Sequence, residues 1–359
     1  MSSGFGQKHI GSALTPLLAC VPPLAVVYWA IPEGLTLWRS VAIVTAWAGS
    51  GLLVSSLLLM IRTSRIAALL GGLETMYLWH HRTGFVAYLL LLCHPLGLAL
   101  DEWFESPSYA WQILAPWEQS WTVWLGWGSL LLLMCGLTAT FALNLSYRRW
   151  RLFHVSLALG VLLGLIHIYV LLGQTWPIMA LAAMAALALG WRLIASDLGI
   201  AARPYRVNRV SPLATGITEI VLEPCAGTMA ITPGQFVLAR FDNGEHYRGC
   251  GEYHPFTVSG IEDEGSLRLA IKALGPCSSQ IQSIEPGVLA HLQGPFGTFL
   301  TDSPKMPQLW VAGGIGITPF MALLRVQPSV QPVFLIYLYR SDGDAAFLDE
   351  LNMLAEQNA

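Results

Sequence analysis

The chain has 359 residues, 54% of them hydrophobic and only 11% charged, with 19 Lys and Arg against 22 Asp and Glu. Such a composition excludes an ordinary soluble enzyme, and a formal net charge of -3 offers little to the phosphates of a nucleic acid. Ionisable residues are sparse up to about residue 200 and frequent beyond it, so a membrane part followed by a water-soluble part is expected.

Six apolar stretches are long enough to cross a bilayer, at roughly residues 13–31, 40–61, 76–100, 121–143, 150–173 and 177–195. The first contains Pro22 and Pro23 and lacks a small-residue cleavage site, which predicts a retained helix rather than a signal peptide. Trp38, Trp103, Trp117, Trp121, Trp150 and Trp176 fall near the ends of these stretches, as an interfacial aromatic belt requires. Arg62, Arg65, Arg148, Arg149, Arg151, Arg192 and Arg203 flank loops on one side; the other side has Arg39 and the acidic Asp101, Glu102, Glu105 and Glu118. The positive-inside rule then puts both termini in the cytoplasm, with the chain multi-pass in the cell membrane.

The third and fifth stretches carry histidines at membrane depth, where an ionisable side chain is costly and points to function. His80 and His94 are fourteen residues apart, which returns close to the same helix face after about 21 Å of rise. His154 and His167 are thirteen apart, about 19.5 Å, so the levels match although the ideal faces do not quite coincide. Both stretches run outward under the charge rule, which opposes His80 to His154 on the inner side and His94 to His167 on the outer. Each pair suits an iron between two neutral imidazoles, with a haem among apolar side chains. His81 is the competing inner ligand, since its thirteen-residue separation from His94 mirrors the other helix.

Beyond residue 200 the texture changes to short strands broken by Gly and Pro, at 205–210, 217–222, 235–241, 255–259, 266–272 and 288–293, predicting a small antiparallel barrel. His254, Pro255, Phe256 and Thr257 on one strand, followed by Lys272, Gly275, Ser278 and Ser279 at a turn opening a short helix, point to a flavin dinucleotide with its pyrophosphate on backbone N–H groups. A buried strand at 308–312 then leads into Gly313, Gly314, Ile315, Gly316, Ile317, Thr318 and Pro319, with a helix from Phe320, a strand at 333–339 and a helix at 345–357. That is the first half of a nucleotide-binding α/β unit, with the glycine turn as nicotinamide-nucleotide site, Thr318 as helix cap and Pro319 at the first helical position. The six cysteines, Cys20, Cys93, Cys135, Cys225, Cys250 and Cys277, show no paired close spacing, so neither a zinc site nor a disulfide framework is expected. The fold class expected is a six-helix membrane bundle (1–200), an antiparallel β-barrel FAD domain (201–303) and a partial α/β NADP domain (304–359).

Nearly the whole chain resembles the ferric reductase and NADPH oxidase superfamily. The resemblance rests on His80, Arg82 and Gly84, on His94-Pro95, on His154 and His167, on His254-Pro255-Phe256-Thr257 and on Gly313 to Pro319. Gly294-Pro295-Phe296-Gly297 is similar to the turn that closes the family's flavin domain. It implies haem ligands on the third and fifth helices, flavin contact by the His-Pro-Phe-Thr strand, and flavin phosphates on the Gly275 to Ser278 turn. Arg39 matches a family arginine near the outer haem, which implies an acceptor site there. Oxidases that make superoxide often carry a histidine where Leu98 stands, which tips the expectation toward ferric chelate over dioxygen. Family members also continue past Ala359 into a Cys-Gly motif and a terminal aromatic, so the NADP domain is expected to be truncated. The implied activity is electron transfer from cytoplasmic NADPH or NADH, through FAD and two b-type haems, to an external small-molecule or metal acceptor. The alternatives are a superoxide-producing oxidase, a haem relay subunit for a separate reductase, and a non-redox membrane protein whose histidines bind a metal.

Overall fold

The computed structural model describes residues 3–299, 306–326 and 332–357. It forms two compact units, one of residues 11–62 and 74–193, the other of residues 1–10, 63–73 and 194–359. The first holds most of the helical bundle: α1 (Ser3–Ala30), α2 (Leu37–Leu58), then, past the short α3 (Ser64–Leu69) of the other unit, α4 (Leu73–Trp103), α5 (Pro107–Leu114), α6 (Trp121–Phe141), α7 (Tyr147–Leu172) and α8 (Trp176–Gly190). Among the described residues six helices are long and apolar enough to cross a membrane, and the chain is a multi-pass membrane protein. Only 11% to 39% of each apolar window is buried inside the protein. That much bare aliphatic surface is stable only against lipid, because in water each exposed apolar Å² costs about 25 cal/mol. A small core joins α1, α2 and α8 through Val26, Trp47, Val54, Ile178 and Leu181.

The expected spans recur within a few residues at each end. Pro22 and Pro23 lie inside α1. The short helices α3 and α5 were not expected; each is started by a side-chain cap, Thr63 accepting from the Ile66 N–H and Ser106 from that of Tyr109.

The second unit contains a closed six-stranded barrel in the order β1 (Arg203–Ala214), β2 (Ile217–Pro224), β5 (Leu267–Lys272), β4 (His254–Ile261), β3 (Phe236–Phe241), β6 (Leu289–Phe296), every pair antiparallel. Its interior is filled by Tyr205, Ile220, Leu222, Val237, Leu267, Leu269 and their neighbours. A short helix, α9 (Pro276–Ile281), follows β5. The chain then forms β7 (Gln308–Gly313), α10 (Thr318–Val326), β8 (Val333–Leu338) and α11 (Leu348–Gln357), with β7 and β8 parallel. The expected boundary at residues 303 and 304 lies outside the described residues.

Barrel and α/β part share one apolar core, because Ile217 and Ala270 of the barrel pack with Trp310, Ile317, Phe320, Met321 and Phe347. The alternation of side chains along β7 and β8 leaves the opposite face, Leu309, Val311, Phe334, Ile336 and Leu338, exposed.

Candidate functional site

The four membrane histidines lie on α4 and α7, and the fold brings them together in two pairs. The rings of His80 and His154 have centroids 6.0 Å apart. His94 and His167 line one cavity of about 430 Å³, walled by Leu91, Leu130 and Trp127 and bounded on its polar side by Arg39 and Glu102. His81 is exposed, its ring 5.6 Å from that of His80.

What holds the rings is main chain. His94 Nδ1 donates to the carbonyl of Ala42 at 2.9 Å, and His167 Nδ1 to that of Thr122 at 2.8 Å. His80 Nδ1 donates to the Ser56 carbonyl at 2.9 Å and lies 2.8 Å from the Ser56 hydroxyl, which itself donates to the His80 carbonyl. A carbonyl only accepts, so Nδ1 carries the proton in all three rings and Nε2 keeps its lone pair. This is the tautomer a metal ligand needs, and the hydrogen bond raises its basicity. His154 is fixed differently: it stacks on Trp150 at 4.8 Å, and its buried Nδ1 has no hydrogen-bond partner among the described residues.

Two glycines permit this arrangement by close approach. A Cβ on Gly97 of α4 would come within 2.9 to 3.1 Å of Ala42, so only glycine lets α4 close on α2 where the Ala42 carbonyl meets His94. A Cβ on Gly126 of α6 would lie 3.0 Å from the His167 ring. Sequence reading did not find Ser56, Ala42, Thr122 or these glycines, since three of the contacts use main-chain atoms that no side-chain motif announces.

Arg39 is not a free cation. Its guanidinium lies 3.7 Å from Asp101 and 4.0 Å from Glu102, and Asp101 also accepts from the Thr36 hydroxyl that caps α2. Leu98 lines the same cavity.

In the barrel unit, His254 to Thr257 open β4 and pair with Phe236 to Ala239 of β3. Lys272 ends β5, three residues before Gly275, and its Nζ lies 3.8 Å from the position a Cβ on Gly314 would take. Gly314 adopts φ +50, a left-handed conformation that favours glycine, and the space beside Gly313 and Gly316 is open. The Ser278 hydroxyl accepts from the N–H groups of Leu274 and Gly275, which braces the turn. Ser279 follows it on α9. The expectation for Thr318 needs correction. A 3₁₀ turn, Gly314–Ile317, runs straight into α10, so Thr318 lies inside the helix and donates its hydroxyl to the Ile315 carbonyl instead of capping, and Pro319 is the second residue of α10.

Cys250, His254 and Cys277 bring their donor atoms within 4.8 Å of one another. Residues 250 and 277 flank the antiparallel β4–β5 pair, whose formation brings their segments together, which is why spacing along the chain gave no signal.

Residues 45–165 match the family model of the ferric reductase like transmembrane component, a range that takes in His80, His94 and His154 and stops two residues short of His167. The chain is 29% identical over 176 residues to a flavohemoprotein of Pseudomonas aeruginosa, covering 47% of this chain and 42% of that one. It is 33% identical over 131 residues to human NADPH oxidase 3, covering 33% and 22%. Among solved structures it is similar to the flavohem-like FAD/NAD binding domain of a nitric oxide dioxygenase from Vibrio cholerae, at 21% identity and a TM-score of 0.38, covering 44% of this chain and 70% of that one. The chain thus spans less than half the length of these two curated relatives. Over residues 45–165 the chain is similar to the ferric reductase like transmembrane component, and over about a third of its length to NADPH oxidase 3.

Proposed function

We propose that this chain is an NAD(P)H-dependent transmembrane oxidoreductase that carries electrons from a cytoplasmic nicotinamide nucleotide to an acceptor on the far side of the membrane. The observation that carries this reading is the pairing of four membrane-depth histidines at two levels, three of them with Nδ1 held by a carbonyl so that Nε2 is available. On this reading His80 and His154 hold the inner b-type haem, and His94 and His167 the outer. When bound, FAD converts a hydride into single electrons and the haems relay them one at a time.

The protein's part is positioning. With ring centroids 6.0 Å apart, His80 and His154 would be the residues that hold one haem iron between them. Lipid-facing apolar helices keep water from the pair. His254, Pro255, Phe256 and Thr257, with Lys272, Gly275 and Ser278, are the residues assigned to FAD; Gly313, Gly314, Gly316, Thr318 and Pro319 are those assigned to the nicotinamide nucleotide. Lys272 supplies a positive charge beside the Gly314 turn. Residues 1–200, 201–303 and 304–359 are the corresponding domains, with both termini cytoplasmic. Arg39, anchored by Asp101, sits beside the outer cavity, where an acceptor would arrive. Leu98 leaves no imidazole there for dioxygen, which favours a ferric chelate.

Two measurements test this. Membranes containing the chain are expected to oxidise NADPH when ferric chelate is supplied, and more slowly with dioxygen alone. Haem spectra without turnover on either acceptor would sink the enzymatic reading while leaving the haem one standing. For the inner level, His80→Ala is expected to remove one of the two haems, whereas His81→Ala, at an exposed ring, retains both. The reverse pattern assigns the ligand to His81.

A further inference from the structure

We infer that Cys250, His254 and Cys277 form a three-donor binding site for zinc or a cation of its class on the barrel unit, with the Glu252 carboxylate beside His254 and Cys277. Cys250 and Glu252 lie on the segment between β3 and β4, His254 is the first residue of β4, and Cys277 is the second residue of α9. Cys250 Sγ is 3.5 Å from His254 Nε2, Glu252 Oε2 is 3.8 Å from the same nitrogen, and Cys277 Sγ is 4.0 Å from that oxygen. In tetrahedral zinc coordination, bonds of about 2.3 Å to sulfur and 2.0 to 2.2 Å to nitrogen or oxygen place neighbouring donors about 3.3 to 3.8 Å apart. Each of the three separations is within a few tenths of an ångström of that range. The donor atoms of Cys250, His254 and Cys277 all lie within 4.8 Å of one another, so small shifts of these three side chains bring them onto one ion.

The donor chemistry points the same way. Two thiols and an imidazole are borderline-soft ligands that select zinc over magnesium or calcium, and three protein donors leave a fourth position for water. The Glu252 side chain is 12% exposed and that of His254 31%, so the site is reachable from water yet mostly walled by protein. A bound cation would tie the segment before β4 to α9.

The site shares His254 with the strand assigned to FAD, so its test reads metal and flavin separately. The full chain, purified in detergent under reducing conditions and stripped with chelator, is titrated with Zn²⁺ against a chromophoric chelator and, in parallel, with Co²⁺. One equivalent of Zn²⁺ is expected to bind beyond any bound by Cys250→Ser/Cys277→Ser, and each single serine variant to weaken affinity at least about 10-fold. With Co²⁺, a sulfur-to-metal charge-transfer band and tetrahedral ligand-field bands are expected in the wild type and absent from the double variant. Because the cobalt spectrum is read on the unaltered chain, it stands even if a variant misfolds. FAD content is read on the same wild-type preparation; absence of FAD from a chain that binds the metal would count against the flavin assignment alone. A wild-type chain that binds no more Zn²⁺ than the double variant, a cobalt spectrum without sulfur ligation, or Cys250 and Cys277 found joined as a disulfide under these conditions would overturn the metal site.

Discussion

Replacing His167 with alanine is expected to lower the haem content of the purified chain from two per polypeptide to one and to reduce electron flow to an external acceptor to background. His167 lines the outer cavity, and the Thr122 carbonyl fixes its ring at 2.8 Å, so no other imidazole can take its place from α7. His94→Ala is expected to behave alike, whereas Leu98→Ala, which alters the same cavity without touching a ligand, keeps both haems. A graded version uses Gly126→Ala. Its new Cβ would press on the His167 ring from 3.0 Å, so the ligand remains but must tilt. Haem affinity at the outer level is then expected to fall about 10- to 100-fold, the range seen when a ligand's supporting contacts are disturbed. Haem extraction and absorption spectra read both variants. Two haems of undisturbed spectrum in His167→Ala would remove this ligand from the outer site.

The second large effect expected is on stability. Arg325 of α10 reaches the barrel: its Nη1 is 3.0 Å from Glu219 Oε1 and donates to the Ser259 carbonyl at 3.0 Å, while Nε and Nη2 donate to both oxygens of Glu350 at 2.7 and 2.6 Å. Its guanidinium carbon also lies 4.9 Å from the centre of the Phe347 ring. The Arg325 and Glu219 side chains are 13% and 7% exposed. Burial alone would lower the Arg325 pKa, but hydrogen bonds and charge from Glu350 and Glu219 outweigh it and push the pKa up, so the group stays charged. Removing one partner of a buried pair leaves the other uncompensated, at about 3 to 5 kcal/mol. Arg268, 3.1 Å from Glu219, absorbs part of that, so Arg325→Ala is expected at the lower end, about 3 kcal/mol. In a unit of this size that lowers the unfolding temperature by about 6 to 12 °C. Arg325→Met combined with Glu219→Gln should recover part of the loss, because the unpaired charge is gone. A shift under about 2 °C for Arg325→Ala would show that the network is not what joins α10 to the barrel.

Much of this architecture was legible along the chain, for physical reasons that differ by region. Transmembrane helices are long and uniformly apolar, and their hydrogen bonds are local, so hydropathy located all six. Strand alternation and Gly-Pro punctuation located the barrel strands because one face of each is interior. The spacing of His80, His94, His154 and His167 was informative since helices convert sequence distance into depth at a fixed rate. What escaped was non-local. Ala42 is 52 residues from the histidine it holds, and Glu219 is 106 residues from Arg325. The same applies to Cys250 and Cys277, which close on each other only after α9 folds back along β5. Thr318 misled for a local reason: a 3₁₀ turn beginning at Gly314 took the role of helix start before the threonine was reached.

The closed barrel beside a two-stranded sheet also sets how water reaches the main chain. In the barrel each strand has a neighbour on both sides, so an amide hydrogen bond opens to solvent only when the cylinder itself gives way. Among the described residues β7 and β8 have one neighbour each, and half their side chains cover nothing. Amide protons of Leu269 and Leu292 should therefore exchange far more slowly than unpaired ones on the outer edges of β7 and β8. Slow and fast clocks thus run within a single compact unit, across the apolar core that Ile217 and Ala270 share with Phe320 and Met321.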